Sequence, residues 1–167
     1  SSGAMKTGWL SQGGTWFYLN GSGVMVSGWN AIGGSWYYFN ESGAMVTGWQ
    51  MVGDKWFFFA SNGVMMTGWL YTSGAWYYLD PSGSMHTGWL KMGSHWYLMG
   101  DSGAMTIGWK PMGGTWYYFD ASGRMVTGWQ QIGGVWYYFG TGGDMYTGGH
   151  WIGWRWYTFG SDGRWLG

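Results

Sequence analysis

The stretch Gly28-Trp29-Asn30-Ala31-Ile32-Gly33-Gly34-Ser35-Trp36-Tyr37-Tyr38-Phe39-Asn40-Glu41-Ser42-Gly43-Ala44-Met45 decides how this chain is read. Trp29 to Ile32 is short, a glycine pair follows, and Ser35 to Asn40 is dense in residue types that favour strands. Two short extended runs joined by two glycines predict a β-hairpin, because tight turns that match strand twist need positive φ. The glycine pair recurs at 13–14, 113–114 and 133–134, with Gly53-Asp54, Ser73-Gly74 and Gly93-Ser94 as variants. A second turn follows each hairpin, x-Ser-Gly at 21–23, 41–43, 81–83, 101–103 and 121–123. Its third residue is glycine in all nine occurrences from Gly3 to Gly163, the mark of a left-handed or otherwise restricted backbone. A short linker, typically Met-x-Thr-Gly, leads to the next tryptophan, and Met holds its place eight times from Met5 to Met145.

Outward from this unit, the pattern repeats every twenty residues without insertion or deletion. Trp16, Trp36, Trp56, Trp76, Trp96, Trp116, Trp136 and Trp156 share one phase; Trp9, Trp29, Trp49, Trp69, Trp89, Trp109 and Trp129 share another. A period in this range means a solenoid or array rather than one globular core. The expected fold is therefore all-β: a solenoid of stacked β-hairpins with a 20-residue period. About eight repeats form one module over residues 1–167.

Composition fits a thin, ring-rich stack. Aromatic residues make up 23% of the chain and charged residues 8%, against about 25% charged in ordinary domains. The apolar share of 46% argues against disorder despite 36 glycines. Seven basic residues offset seven acidic ones, so no long-range field would gather nucleic acid or an anionic membrane. Cysteine is absent, and no apolar run approaches the roughly 20 residues of a membrane span. The chain opens at Ser1-Ser2-Gly3, in mid-repeat and without a signal peptide, which suggests an excised module or mature fragment.

In the second strand the pleat puts Trp36 and Tyr38 on one face, Tyr37 and Phe39 on the other. A lone hairpin could bury neither face, whereas stacked hairpins bury one. The phase of Phe39, Phe59, Leu79, Phe119, Phe139 and Phe159 accepts Phe, Leu and Met alike, so it reads as core; the Met phase reads as packing between rings. Tryptophan is a poor filler, because its indole N–H needs a partner. Two phases of it imply a need for large flat π-faces, as in cages for quaternary ammonium groups or platforms for sugar rings. Polar partners for sugar hydroxyls are few at repeating phases, which favours the cation. An array in which the rings serve only stacking is the remaining alternative.

The unit T-G-W-x₆-W-Y-Y-F/L-x₃-G-x-M-x-T-G-W, seen at Thr47-Gly48-Trp49, Trp116-Tyr117-Tyr118-Phe119 and Gly123-Arg124-Met125-Val126-Thr127-Gly128-Trp129, resembles the choline-binding repeat of Gram-positive surface proteins and lysins. Related glucan-binding repeats more often lack the Trp before Tyr-Tyr, leaving a glucan or other wall polysaccharide as the second ligand class. The resemblance implies a left-handed superhelix, with choline or the phosphocholine of teichoic acids held between successive hairpins. Each cage would take both tryptophans of one repeat and a ring from the next. The implied cages are Trp9, Trp16 and Tyr38; Trp29, Trp36 and Phe58; Trp49, Trp56 and Tyr78; Trp89, Trp96 and Tyr118; and Trp109, Trp116 and Tyr138. On the same scheme Trp69 and Trp76 meet Leu98, and Trp129 and Trp136 meet Thr158, so both of these sites lose a wall.

Gly149 stands where a tryptophan belongs, followed by His150, Trp151, Trp154, Arg155 and Trp165. Residues 147–167 are thus expected to cap the stack, with a homodimer contact as the second reading. His86, His95 and His150 lie in three different phases and the carboxylates are scattered, so the expectation is a binding module without catalysis, metal or cofactor. The expected location is extracellular, at the cell surface or wall.

Overall fold

The computed structural model describes residues 5–167; Gly3, the first of the expected turn glycines, lies outside them. The described residues form short strands that pair as antiparallel hairpins, with no helix. Two compact units result, Ser1–His86 and Thr87–Gly167. The first holds β1 (Gly8–Gln12) with β2 (Thr15–Leu19), β3 (Gly28–Ile32) with β4 (Ser35–Phe39), β5 (Gly48–Val52) with β6 (Lys55–Phe59), and β7 (Gly68–Thr72) with β8 (Ala75–Leu79). The second holds β9 (Gly88–Met92) with β10 (His95–Met99), β11 (Gly108–Met112) with β12 (Thr115–Phe119), β13 (Gly128–Ile132) with β14 (Val135–Phe139), and β15 (Gly148–Ile152) with β16 (Arg155–Phe159).

The hairpin turns follow their residues. Gly33 and Gly34 have φ of 59° and 82°, the double positive φ of a type I′ turn. Where the second residue is Asp54, Ser94 or Trp154, only the preceding glycine has positive φ, as in a type II′ turn. Ser73 is the only non-glycine residue with positive φ among the described residues.

Register then fixes the faces. In the second hairpin Trp29 is opposite Tyr38, Asn30 opposite Tyr37, and Gly28 opposite Phe39. The Trp29–Tyr38 face looks towards the following hairpin, where Trp29 meets Phe57 and Phe59. The Tyr37–Phe39 face looks back, where both rings meet Trp9. Phe39, Phe59, Leu79, Phe119 and Phe139 are fully buried, with Met99 and Phe159 nearly so. This is the expected core phase.

Backbone hydrogen bonds join neighbouring hairpins through the linkers. Met45 bridges to Phe39 of its own repeat, while its N–H donates to the carbonyl of Trp16 one repeat earlier at 2.8 Å. The same bond runs from Met65 to Trp36, Met85 to Trp56, Met125 to Trp96 and Met145 to Trp116. Each of these bonds satisfies an otherwise open group on the edge of the neighbouring hairpin.

The second turn explains one glycine phase. At Gly123 φ is 76°, and a Cβ built there would run into the thioether of Met105. At Gly128 φ is 71°, but a Cβ would meet nothing within 4 Å. Gly128→Ala should therefore cost about 1–2 kcal/mol from backbone conformation alone. Gly123→Ala should cost more than about 2 kcal/mol, because overpacking adds to the same strain. Urea midpoints of the two variants measure the difference, and equal midpoints would show that the Met105 contact has no energetic weight.

Candidate functional site

The paired tryptophans are surface walls. Trp16, Trp36, Trp76, Trp116 and Trp136 remain more than two-fifths exposed, so water can satisfy their indole N–H groups. Within a hairpin the two indoles meet nearly at right angles. Trp9–Trp16 centroids are 6.3 Å apart at 84°, Trp29–Trp36 6.3 Å at 82°, and Trp109–Trp116 6.3 Å at 83°. Trp69–Trp76, Trp89–Trp96 and Trp129–Trp136 repeat this geometry.

A third ring comes from the next hairpin, and it is one residue earlier than expected. Trp9 meets Tyr37 at 4.9 Å, Trp29 meets Phe57 at 4.8 Å and Trp49 meets Tyr77 at 5.0 Å. In the second unit Trp89 meets Tyr117 at 5.6 Å, Trp109 meets Tyr137 at 4.9 Å and Trp129 meets Tyr157 at 5.0 Å. The expected partners Tyr38, Phe58, Tyr78, Tyr118 and Tyr138 each pack instead on a tryptophan of their own hairpin: Trp29, Trp49, Trp69, Trp109 and Trp129 respectively. The reason is the pleat. Tyr38 shares a face with Trp36 and so points away from the preceding hairpin, while Tyr37 points back towards it.

The same parity removes the defect expected at Trp129 and Trp136: Thr158 is opposite Gly149 in its own hairpin, so it does not occupy a third-wall position. Trp129 and Trp136 have Tyr157 beside them, and Trp165 adds a fourth ring at 5.6 Å from Trp129. In the eighth hairpin the indole of Trp156 fills the space that a side chain at Gly149 would need, and packs against Trp151 at 5.5 Å.

Four of these ring sets enclose open cavities. Trp9, Trp16, Tyr37 and Met45 line one of about 360 Å³, with Ser61 and Asn62 at its edge. Trp89, Trp96, Tyr117 and Met125 line one of about 390 Å³, with Thr141 and Gly142. Trp109, Trp116, Tyr137 and Met145 line one of about 350 Å³, with Asp162. Trp129, Trp136, Tyr157, Trp165 and Arg155 line one of about 240 Å³. These volumes suit a small ligand, since pockets for drug-sized molecules run from about 300 to 1,000 Å³. The methionines serve twice: Met45 lines a cavity and also packs under Gly63 of the next turn.

The histidines are dispersed in space as in sequence. His86 pairs with Asp80, His150 stacks on Tyr146, and His95 lies beside Ser94. No group of three or more potential metal ligands occurs among the described residues.

Family models match along the chain: a choline-binding repeat over residues 26–55, 46–85 and 106–150, and a putative cell wall binding repeat over 7–25 and 87–105. Comparison with curated protein sequences gave no match. Among solved structures, choline binding protein F from Streptococcus pneumoniae is 42% identical with a TM-score of 0.90, over 97% of this chain and 58% of that one. CbpJ from Streptococcus pneumoniae TIGR4 is 39% identical with a TM-score of 0.89, over 96% and 58%. The modular autolysin LytC from Streptococcus pneumoniae is 28% identical with a TM-score of 0.64, over 95% and 38%. The chain thus spans less than two thirds of each of these relatives. Unbroken hairpin repeats with paired tryptophans, together with these matches, make this chain a member of the choline-binding repeat family.

Proposed function

We propose that this chain is a binding module that takes the quaternary ammonium of choline or phosphocholine into the cages between successive hairpins, and through them attaches to phosphocholine-bearing wall polymers at a bacterial surface. One observation carries the reading: two perpendicular indoles and a third ring from the next hairpin face a common cavity with a thioether beside them. Ring faces attract a cation electrostatically, by about 0.5–2 kcal/mol each, and the apolar walls suit its methyl groups. The best-supported sets are Trp9, Trp16 and Tyr37; Trp89, Trp96 and Tyr117; and Trp109, Trp116 and Tyr137. Trp29 and Trp36 with Phe57, and Trp49 and Trp56 with Tyr77, follow by repetition. A single cage is a weak site; several on one chain gain avidity on a polymer that presents many head groups. Residues 147–167 act as the cap that closes the last of these cavities, with Trp165 in the phase that Met holds elsewhere.

A ligand that fills the gap between hairpins stabilises the stack by mass action. At tenfold excess over Kd each filled cage adds about 1.4 kcal/mol, so three cages should raise the melting temperature by more than about 5 °C. Thermal unfolding in 20 mM choline (a concentration of about the order needed to exceed a weak Kd) measures this, with an α-glucan oligosaccharide as comparison. A melting curve that moves with the glucan and not with choline would replace the ligand class.

A further inference from the structure

Of the four cavities described above, the one closed by the eighth hairpin has a cationic side chain in its lining. Arg155 begins β16, two residues before Tyr157, so both side chains project from the face that looks towards Trp129 and Trp136. Its guanidinium carbon stands 5.4 Å from the centre of the Tyr157 ring, and Arg155 lines the cavity. The corresponding places in other repeats hold Thr15, Ser35, Ala75, His95, Thr115 and Val135. Lys55 shares the phase but stands over no ring among the described residues, and Lys91, which lies over Trp96, is outside that cavity's lining. The fourth wall also changes, from Met to Trp165, and the space narrows from about 350 Å³ to about 240 Å³ between the neighbouring cavities.

A permanent cation at the mouth of a cation cage opposes a ligand whose only charge is positive. It favours a zwitterion whose ammonium enters the rings while its anion meets the guanidinium, which offers forked donors suited to phosphate. We propose that the cavity of Trp129, Trp136, Tyr157 and Trp165 is a phosphocholine-selective subsite, with Arg155 as the residue that sets the preference. The cages of uncharged lining, such as that of Trp9 and Trp16, lack this discrimination. Arg155 remains exposed, which leaves a phosphate room to sit at the rim without burying its charge. The inference rests on the reading of the cavities as ammonium sites, and it assigns a different preference to one of them.

The test is a site-resolved titration of the full chain, following the indole N–H resonances of Trp165 and Trp16 by nitrogen-15 NMR with choline and with phosphocholine. At Trp165, phosphocholine should half-saturate at about 1.5- to fivefold lower concentration than choline, the range of an exposed charge-assisted contact. At Trp16 the two ligands should be nearly equal. Arg155→Gln should bring the Trp165 ratio close to one, and Arg155→Lys should keep part of it. An unchanged ratio in Arg155→Gln overturns the assignment. So does tighter binding of both ligands there, which would make the guanidinium a plug. Saturation at Trp16 with no preference at Trp165 defeats this inference alone, whereas silence at both indoles with both ligands defeats the choline reading itself.

Discussion

Phe119→Ala is expected to lower the stability of the Thr87–Gly167 unit by about 3–5 kcal/mol, the range for truncating a fully buried phenylalanine. Phe119 has no exposed surface. It packs on Trp89 of the preceding hairpin at 5.8 Å, pairs with Gly108 across its own, and bridges to Met125 of the following linker. Its removal therefore opens a void where three segments meet, and a stack of two-stranded sheets has little material with which to refill it. Truncating Trp116, which is 43% exposed, should cost much less stability. Denaturant unfolding of the two variants measures the contrast. A larger loss from Trp116→Ala would mean that the tryptophans, and not the Phe phase, carry the core.

Tyr37→Leu is expected to weaken choline binding at the Trp16 indole by about 2- to 30-fold, equivalent to the 0.5–2 kcal/mol of one cation–π wall. Tyr38→Leu should leave that binding within about twofold, because its ring lies on Trp29 at 5.2 Å and faces the next hairpin. Titration of both variants, following Trp16, separates the two tyrosines. Loss from Tyr38→Leu alone would restore the assignment that the family resemblance suggested.

That pair of tyrosines marks where sequence reading stopped short. The alternation in β4 was visible in Ser35 to Phe39, and it already put Tyr38 on the Trp36 side and Tyr37 on the other. What the string lacks is the direction of each face along the stack, and it is Tyr37, not Tyr38, that lies against the tryptophan of the preceding hairpin. Trp156 was equally opaque. It continues the tryptophan phase without a break, but the missing side chain at Gly149 lets its indole fold over that position and meet Trp151. Arg155 was noted only as part of an atypical repeat; its meaning depends on the ring two residues on and on the cavity both of them face.

By itself the sequence determined everything with a fixed local cause. The glycine pairs set the hairpin turns because only certain residues accept positive φ. The twenty-residue period set the number of hairpins, and the phase that accepts Phe, Leu and Met set the buried seam. The tertiary structure alone decided which tyrosine of a pair lies against the tryptophan of the preceding hairpin and which cavity has Arg155 in its lining. Those outcomes depend on how one hairpin's face meets the next, a contact between residues 28 positions apart, as for Trp9 and Tyr37, that no local preference of the backbone encodes.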